Sequence, residues 1–172
     1  NRWAVDHLLL DQDGIPTFVE VKRSSDTRIR REVVGQLLEY AANAVAIWPV
    51  ERIIELFDNG CKTAQRNPDD VLREFLGVEK PGGESATTDF WKRVKTNLQA
   101  GAVRLVFVAD VIPPELRRIV EFLNRQMDPA EVLAVEIRQY EGGNLRTLVP
   151  RVVGRVEEAA QRRSGSGSGA AS

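Results

Sequence analysis

The amino-acid sequence predicts an α/β domain on a mixed β-sheet, and three observations predict it. Two β-favouring stretches, 4–10 and 17–22, flank Asp11-Gln12-Asp13-Gly14, a turn signal whose glycine takes positive φ at little cost. Helical periodicity then occupies much of the next eighty residues. After it comes Val103-Arg104-Leu105-Val106-Phe107-Val108-Ala109, a near-continuous apolar run of the kind carried by strands covered on both faces. The hairpin contributes antiparallel pairing and the helical crossovers contribute parallel pairing, so the sheet is expected to be mixed.

The elements follow in order. After the hairpin, Ser24-Ser25-Asp26 supplies N-cap residues for a long amphipathic helix. Its apolar positions Ile29, Val33, Leu37, Leu38, Ala41, Ala42 and Val45 recur at helical spacing as far as Ile47, before Pro49. Three shorter helical patterns, 51–58, 68–76 and 89–99, are divided by Asn59-Gly60 and by Lys80-Pro81-Gly82-Gly83-Glu84, and read as a helical insertion over about 51–99. The apolar strand at 103–109 comes next, and Pro114 opens a helix with Leu116, Ile119, Val120 and Leu123 inward. Strands at 132–137 and near 146–150 and a final polar helix from Val153 complete a β-β-α-(ααα)-β-α-β-β-α order without internal repeat.

Length and composition bound the function. A chain of 172 residues is about one domain, expected at 1–163, with 164–172 a flexible Gly/Ser linker foreign to the fold. An apolar content of 42% with 28% charged residues allows a buried core and excludes fibres, collagen and low-complexity scaffolds. No apolar run approaches the roughly 18 residues of a membrane span, and the first six residues are unlike a signal peptide. Cys61 and His7 are single, so neither an internal disulfide nor a Cys/His zinc site can form, and a reducing, cytoplasmic setting is expected. The formal charge of −1 excludes whole-chain attraction to phosphate, so charge must be read locally. Lys22, Arg23, Arg28, Arg30 and Arg31 against Asp26 form the most lopsided stretch, suited to a polyanion or to a solvated face.

If the hairpin turn is centred near Gln12 and Asp13, Asp6 stands opposite Glu20. Alternation puts Asp6, Phe18, Glu20 and Lys22 on one face. The flanking leucines and valines predict a largely buried hairpin, where unpaired charges cost several kcal/mol. A divalent cation held by Asp6, Glu20 and the Val21 carbonyl is a natural compensation, because Mg²⁺ prefers a few oxygen donors plus water and phosphate. Gln36 and Tyr40, four apart, share one helix face.

Asp6, then Glu20-Val21-Lys22, then Gln36-Leu37-Leu38-Glu39-Tyr40 together resemble the PD-(D/E)XK nuclease superfamily, in particular RecB-type members with their Gln-x-x-x-Tyr helix. The resemblance covers residues 4–46 at motif level and 103–137 more loosely. It departs from the pattern in having Val5 where the family name has Pro, and in placing no further glutamate ahead of the Asp6 strand. It implies a restriction-endonuclease-like mixed sheet flanked by helices and Mg²⁺-dependent hydrolysis of a phosphodiester in nucleic acid, DNA foremost, with Mn²⁺ an alternative ion. The resemblance gives Asp6 and Glu20 the metal, Lys22 the orientation of water and the neutralisation of developing charge, and Gln36 and Tyr40 the positioning of substrate or site. Arg23, Arg28, Arg30 and Arg31 would grip the nucleic-acid backbone without reading sequence. Nucleases of this kind that cut both strands commonly pair, so a homodimer is a natural partner state, and no membrane is.

Other readings stand beside these. Taken alone, Asp6, Glu20 and Lys22 read as a salt-bridged structural cluster, and Tyr40 as a half-buried core residue. Asp11 and Asp13 read as turn residues, His7 as structural on the opposite strand face, and Cys61 as a partly buried thiol without a base. Asp110 either lines an active edge or caps the turn before Pro113-Pro114, and Trp3, Trp48 and Trp91 read as core or rim. A nuclease fold retained as a non-cleaving binding module, with 51–99 as its partner surface, is the competing function. A cofactor-dependent α/β enzyme lacks the glycine-rich phosphate loop.

Overall fold

The computed structural model describes residues 6–23, 32–78 and 83–154. Five strands, β1 (His7–Leu10), β2 (Pro16–Val21), β3 (Arg104–Ala109), β4 (Glu131–Gly142) and β5 (Leu145–Val153), form one mixed sheet in the order β1-β2-β3-β4-β5. The outer pairs are antiparallel and β2, β3 and β4 run parallel. Helices α1 (Glu32–Ile47), α2 (Val50–Thr63), α3 (Pro68–Leu76) and α4 (Gly83–Ala100) separate β2 from β3, and α5 (Pro114–Gln126) separates β3 from β4. No helix among the described residues is long and apolar enough to cross a membrane.

The expected hairpin forms because Asp11 organises its turn. Its Oδ1 accepts from the N–H groups of Asp13 and Ile15 at 3.1 and 2.9 Å, and Gly14 takes φ 74°. The turn is also docked onto α4, whose Asn97 amide donates to the carbonyls of Asp13 and Gly14 at 3.1 and 3.0 Å. Asp11 does more than turn the chain, since its other oxygen accepts from Arg104 on β3 at 3.1 Å. Pairing of His7 with Val19 and Leu8 with Phe18 gives the expected register, and continuing it by one step sets Asp6 beside Glu20.

The core lies on one sheet face. Phe18, Leu105 and Val132 stand side by side across the three parallel strands, each fully buried, and meet Leu37, Val94, Leu98, Leu116 and Val120 from the helices. Passing towards the carboxyl ends, the next row is Glu20, Phe107 and Ala134, and the last pairs Ala109 with Glu136. This inward face therefore turns from apolar to charged where the parallel strands end, the end at which α/β sheets bind ligands.

Four expectations are corrected. The hairpin is not largely buried: β1 is an edge strand, Asp6 and His7 are exposed and Leu9 is 56% exposed, whereas β2 is buried between β1 and β3. Asn59-Gly60 does not end a helix, because α2 continues through it to bury Cys61 in line with Ile53 at i and i+8. That burial outweighs the roughly 1 kcal/mol that a mid-helix glycine costs. The strands expected at 132–137 and 146–150 are longer and form one hairpin, turned at Gly143-Asn144 with Gly143 at φ 59°. Val153 belongs to β5 rather than opening a helix, and the rest of that expected helix lies outside the described residues, as does the expected cap at 24–26.

Candidate active site

Glu20 ends the inward row of β2, and its side chain is 1% exposed. One oxygen, Oε1, is 2.7 Å from the Lys22 ammonium. The other, Oε2, is buried without a hydrogen-bond partner among the described residues. Leaving such an oxygen unsatisfied costs about 1–3 kcal/mol, more for an ionised group, so the position is held against its own stability. Lys22 is placed by the sheet, its N–H donating to the Val108 carbonyl at 2.9 Å. Asp6 Oδ2 accepts from the Val21 N–H at 2.8 Å, which fixes that carboxylate at the residue between Glu20 and Lys22. The structure thus gathers Asp6, Glu20, Val21 and Lys22 at one strand end, as the sequence suggested.

On α1, Gln36 Nε2 donates to the Tyr40 hydroxyl at 2.6 Å. Tyr40 is buried in the same hydrophobic cluster as Phe18, and α1 packs on β2 and β3. The two residues are therefore coupled, and the tyrosine ring has the core placement weighed from the sequence. Arg23 is exposed beside the site, while Arg28, Arg30 and Arg31 lie outside the described residues.

A depression of about 460 Å³ opens at the carboxyl ends of the parallel strands, lined by Val21, Lys22, Arg23, Asp110 and Ile137 among others. Asp110 thus lies on the rim of this depression. A second hollow of about 460 Å³, between β1 and helices α2 to α4, is lined only by apolar side chains such as Leu9, Phe57 and Trp91 and offers nothing to a phosphate.

No protein-family model, curated protein or solved structure matches the chain.

Sequence reading missed one residue of this edge. Glu136, buried on β4, accepts from the Ile112 N–H at 3.0 Å and from Arg138 Nε at 2.7 Å. The Ile112 N–H first and the Arg138 guanidinium second hold its carboxyl below the usual glutamate range. By pairing with Ile112 it fixes the loop that follows Asp110. The signal was present, since Val132, Ala134 and Glu136 share one strand face and an acid at the third inward position is out of pattern.

Whether this site suits a divalent cation is tested by its donors. Glu20 Oε2 is an unsatisfied hard oxygen, Asp6 has its second oxygen beyond the Val21 bond, and the Val21 carbonyl is close in sequence. No group of three or more His, Cys, Asp or Glu is found among the described residues. Two carboxylates are enough for Mg²⁺, which keeps several waters and takes phosphate oxygens for the remaining positions. The residues fit.

Proposed function

We propose that this chain hydrolyses phosphodiester bonds in nucleic acid, DNA foremost, as a PD-(D/E)XK-type nuclease with a restriction-endonuclease-like core. The observation that carries the reading is Glu20: a buried carboxylate at a sheet's carboxyl end, with one oxygen on Lys22 and the other unsatisfied, and with the Asp6 carboxylate bonded to the N–H of the next residue, Val21. Asp6 and Glu20 hold Mg²⁺ or Mn²⁺ in this reading. When bound, the cation supplies Lewis acidity that lowers the pKa of water and offsets charge on the phosphoryl oxygens.

The remaining work belongs to the chain's own side chains. Lys22 holds Glu20 in one rotamer and sets an ammonium where charge grows as the water oxygen bonds to phosphorus and the ester oxygen leaves. Gln36, steadied by Tyr40, offers an amide that positions substrate or water. Arg23 faces solvent beside the depression and meets the backbone phosphate, with Arg28, Arg30 and Arg31 assigned the same task from the sequence.

The test is cleavage of single-stranded, duplex and branched DNA and of RNA with Mg²⁺, Mn²⁺ or EDTA. Glu20→Gln and Lys22→Ala are each expected to lose about 10²-fold or more of the metal-dependent rate. Because Lys22→Ala leaves Glu20 buried and unpaired, the neutral double variant Glu20→Gln/Lys22→Met serves as the folded control. Thermal unfolding supplies a second readout: Mg²⁺ raises the midpoint of the native protein and leaves that of Glu20→Gln unchanged. Cutting that persists in EDTA or in the variants overturns the hydrolytic site. Tight binding of nucleic acid without cutting, in any metal, identifies the non-cleaving module instead.

A further inference from the structure

The sheet is not of even height. β3 stops at Ala109, paired with Glu136, but β4 continues for residues 137–142, and β5 pairs back along it from Leu145 to Pro150. These residues form a two-stranded arm, about 20 Å long at 3.3 Å per residue. Because β4 runs parallel to β2 and β3, the arm leaves the sheet at the end where Glu20, Lys22 and Asp110 lie. Ile137, at its root, lines the depression with Lys22 and Arg23, on the sheet face of Val21 and Val108 opposite Glu20.

The arm has no core of its own. Tyr140, Leu145, Leu148 and Val149 are 52, 79, 64 and 46% exposed. Alternation separates its two faces. Arg138 with Val149, Tyr140 with Thr147 and Gly142 with Leu145 continue the face that carries Glu20 and Glu136. Gln139 with Leu148 and Glu141 with Arg146 lie on the other. Over 137–152 there are three arginines and one acid, in a chain whose total charge is −1.

We infer that the β4–β5 arm lies in a groove of duplex nucleic acid and holds the substrate against the candidate site, an inference that rests on the nuclease reading. A two-stranded β-ribbon fits the major groove, roughly 12 Å wide. Arg138 and Arg146 are ion-paired with Glu136 and Glu141, so the excess that suits phosphate is carried by Arg151 and by what the exposed arginines of those pairs yield to it. Exposed Leu145 at the tip and Tyr140 on the site-side face supply apolar contact to base edges such as the thymine methyl in that groove. A projecting ribbon with arginines along it and an apolar tip, at the sheet end that holds Glu20 and Lys22, has the dimensions of a duplex groove.

Binding is measured in EDTA, without turnover, by fluorescence anisotropy of a labelled duplex and of the matching single strand. Tyr140→Ser/Leu145→Ser is expected to weaken duplex binding about tenfold to a hundredfold, with a much smaller effect on the single strand, which has no groove to hold the ribbon. Gln139→Ser/Leu148→Ser, a pair on the opposite face, is expected to change it less than threefold or so. An unchanged duplex affinity in the first variant, an equal loss for the single strand, or a larger loss in the second variant overturns the proposal. So does sedimentation showing that the first variant only dissociates a dimer, which makes the arm a contact between copies. If the native protein binds duplex through the arm yet cuts nothing, the arm stands and the hydrolytic reading falls; if it cuts normally without the arm residues, the reverse holds.

Discussion

Glu20 and Glu136 are both buried carboxylates at the carboxyl ends of parallel strands, and they are held in opposite ways. Glu136 has a partner on each oxygen, the Ile112 N–H and the Arg138 guanidinium, and its pKa is lowered by them in that order. Glu20 has Lys22 on one oxygen and nothing among the described residues on the other. A fully paired acid serves the fold, whereas a half-paired one is left for something to bind. The structural role of Glu136 has a sign in pH. Its folded pKa lies below the unfolded value, so its contribution is fully present above the unfolded glutamate pKa and is lost as pH falls through the folded one. Glu136→Gln retains an acceptor for Ile112 but not the charge. It is expected to be less stable than the native protein by about 1 kcal/mol near neutrality. The gap should close as the pH drops from about 5 through the lowered pKa, as read by urea midpoints across a pH series. A gap that persists at pH 2 would show that the carboxylate charge is not what Glu136 contributes.

Two glycines show how packing at the level of elements decides what a residue costs. Gly14 turns β1 into β2 at φ 74°, and a Cβ there would sit 3.1 Å from the Val94 backbone nitrogen of α4. Gly60 lies inside α2 with nothing within 4 Å of such a Cβ. Gly14→Ala therefore meets both backbone strain and a helix that cannot move aside, and is expected to lower stability by about 2 kcal/mol. Gly60→Ala is expected to raise it by about 0.5–1 kcal/mol, and paired thermal melts should displace the two midpoints in opposite directions. The same pair marks what was legible in the sequence. The Asp11–Gly14 turn and the register that follows from it are local chemistry and could be read, and with them the meeting of Asp6, Glu20 and Lys22. The continuation of α2 past Asn59-Gly60 depends on where Cys61 buries itself. The exposure of β1 depends on its place at the sheet edge, and the length of the β4–β5 arm on a partner strand fifteen residues away or less. Glu136 acts through Ile112, twenty-four residues away, a contact that only the α5 crossover creates.

At the scale of the whole molecule, 24 basic and 25 acidic residues leave almost no net field to draw in a polyanion. If nucleic acid is the substrate, attraction must come from one end of the sheet. Among the described residues that end and its arm carry Lys22, Arg23, Arg138, Arg146 and Arg151. Three of these already face carboxylates: Lys22 faces Glu20, Arg138 faces Glu136 and Arg146 faces Glu141. Each phosphate neutralised on duplex DNA contributes about −0.9 to the slope of log affinity against log salt. Five contacts would give a slope of about −4.5, and two, if the ion-paired cations keep their carboxylates, about −2. The expected slope lies between these, measured by duplex titrations in EDTA from low to moderate salt, and Arg23→Ala should flatten it by about 0.9. A slope well beyond −5 or so would require further cations, and Arg28, Arg30 and Arg31 are those the sequence supplies next to the site. A slope near zero would mean that phosphate is not what this charged sheet end meets, and the nuclease reading would lose its electrostatic basis.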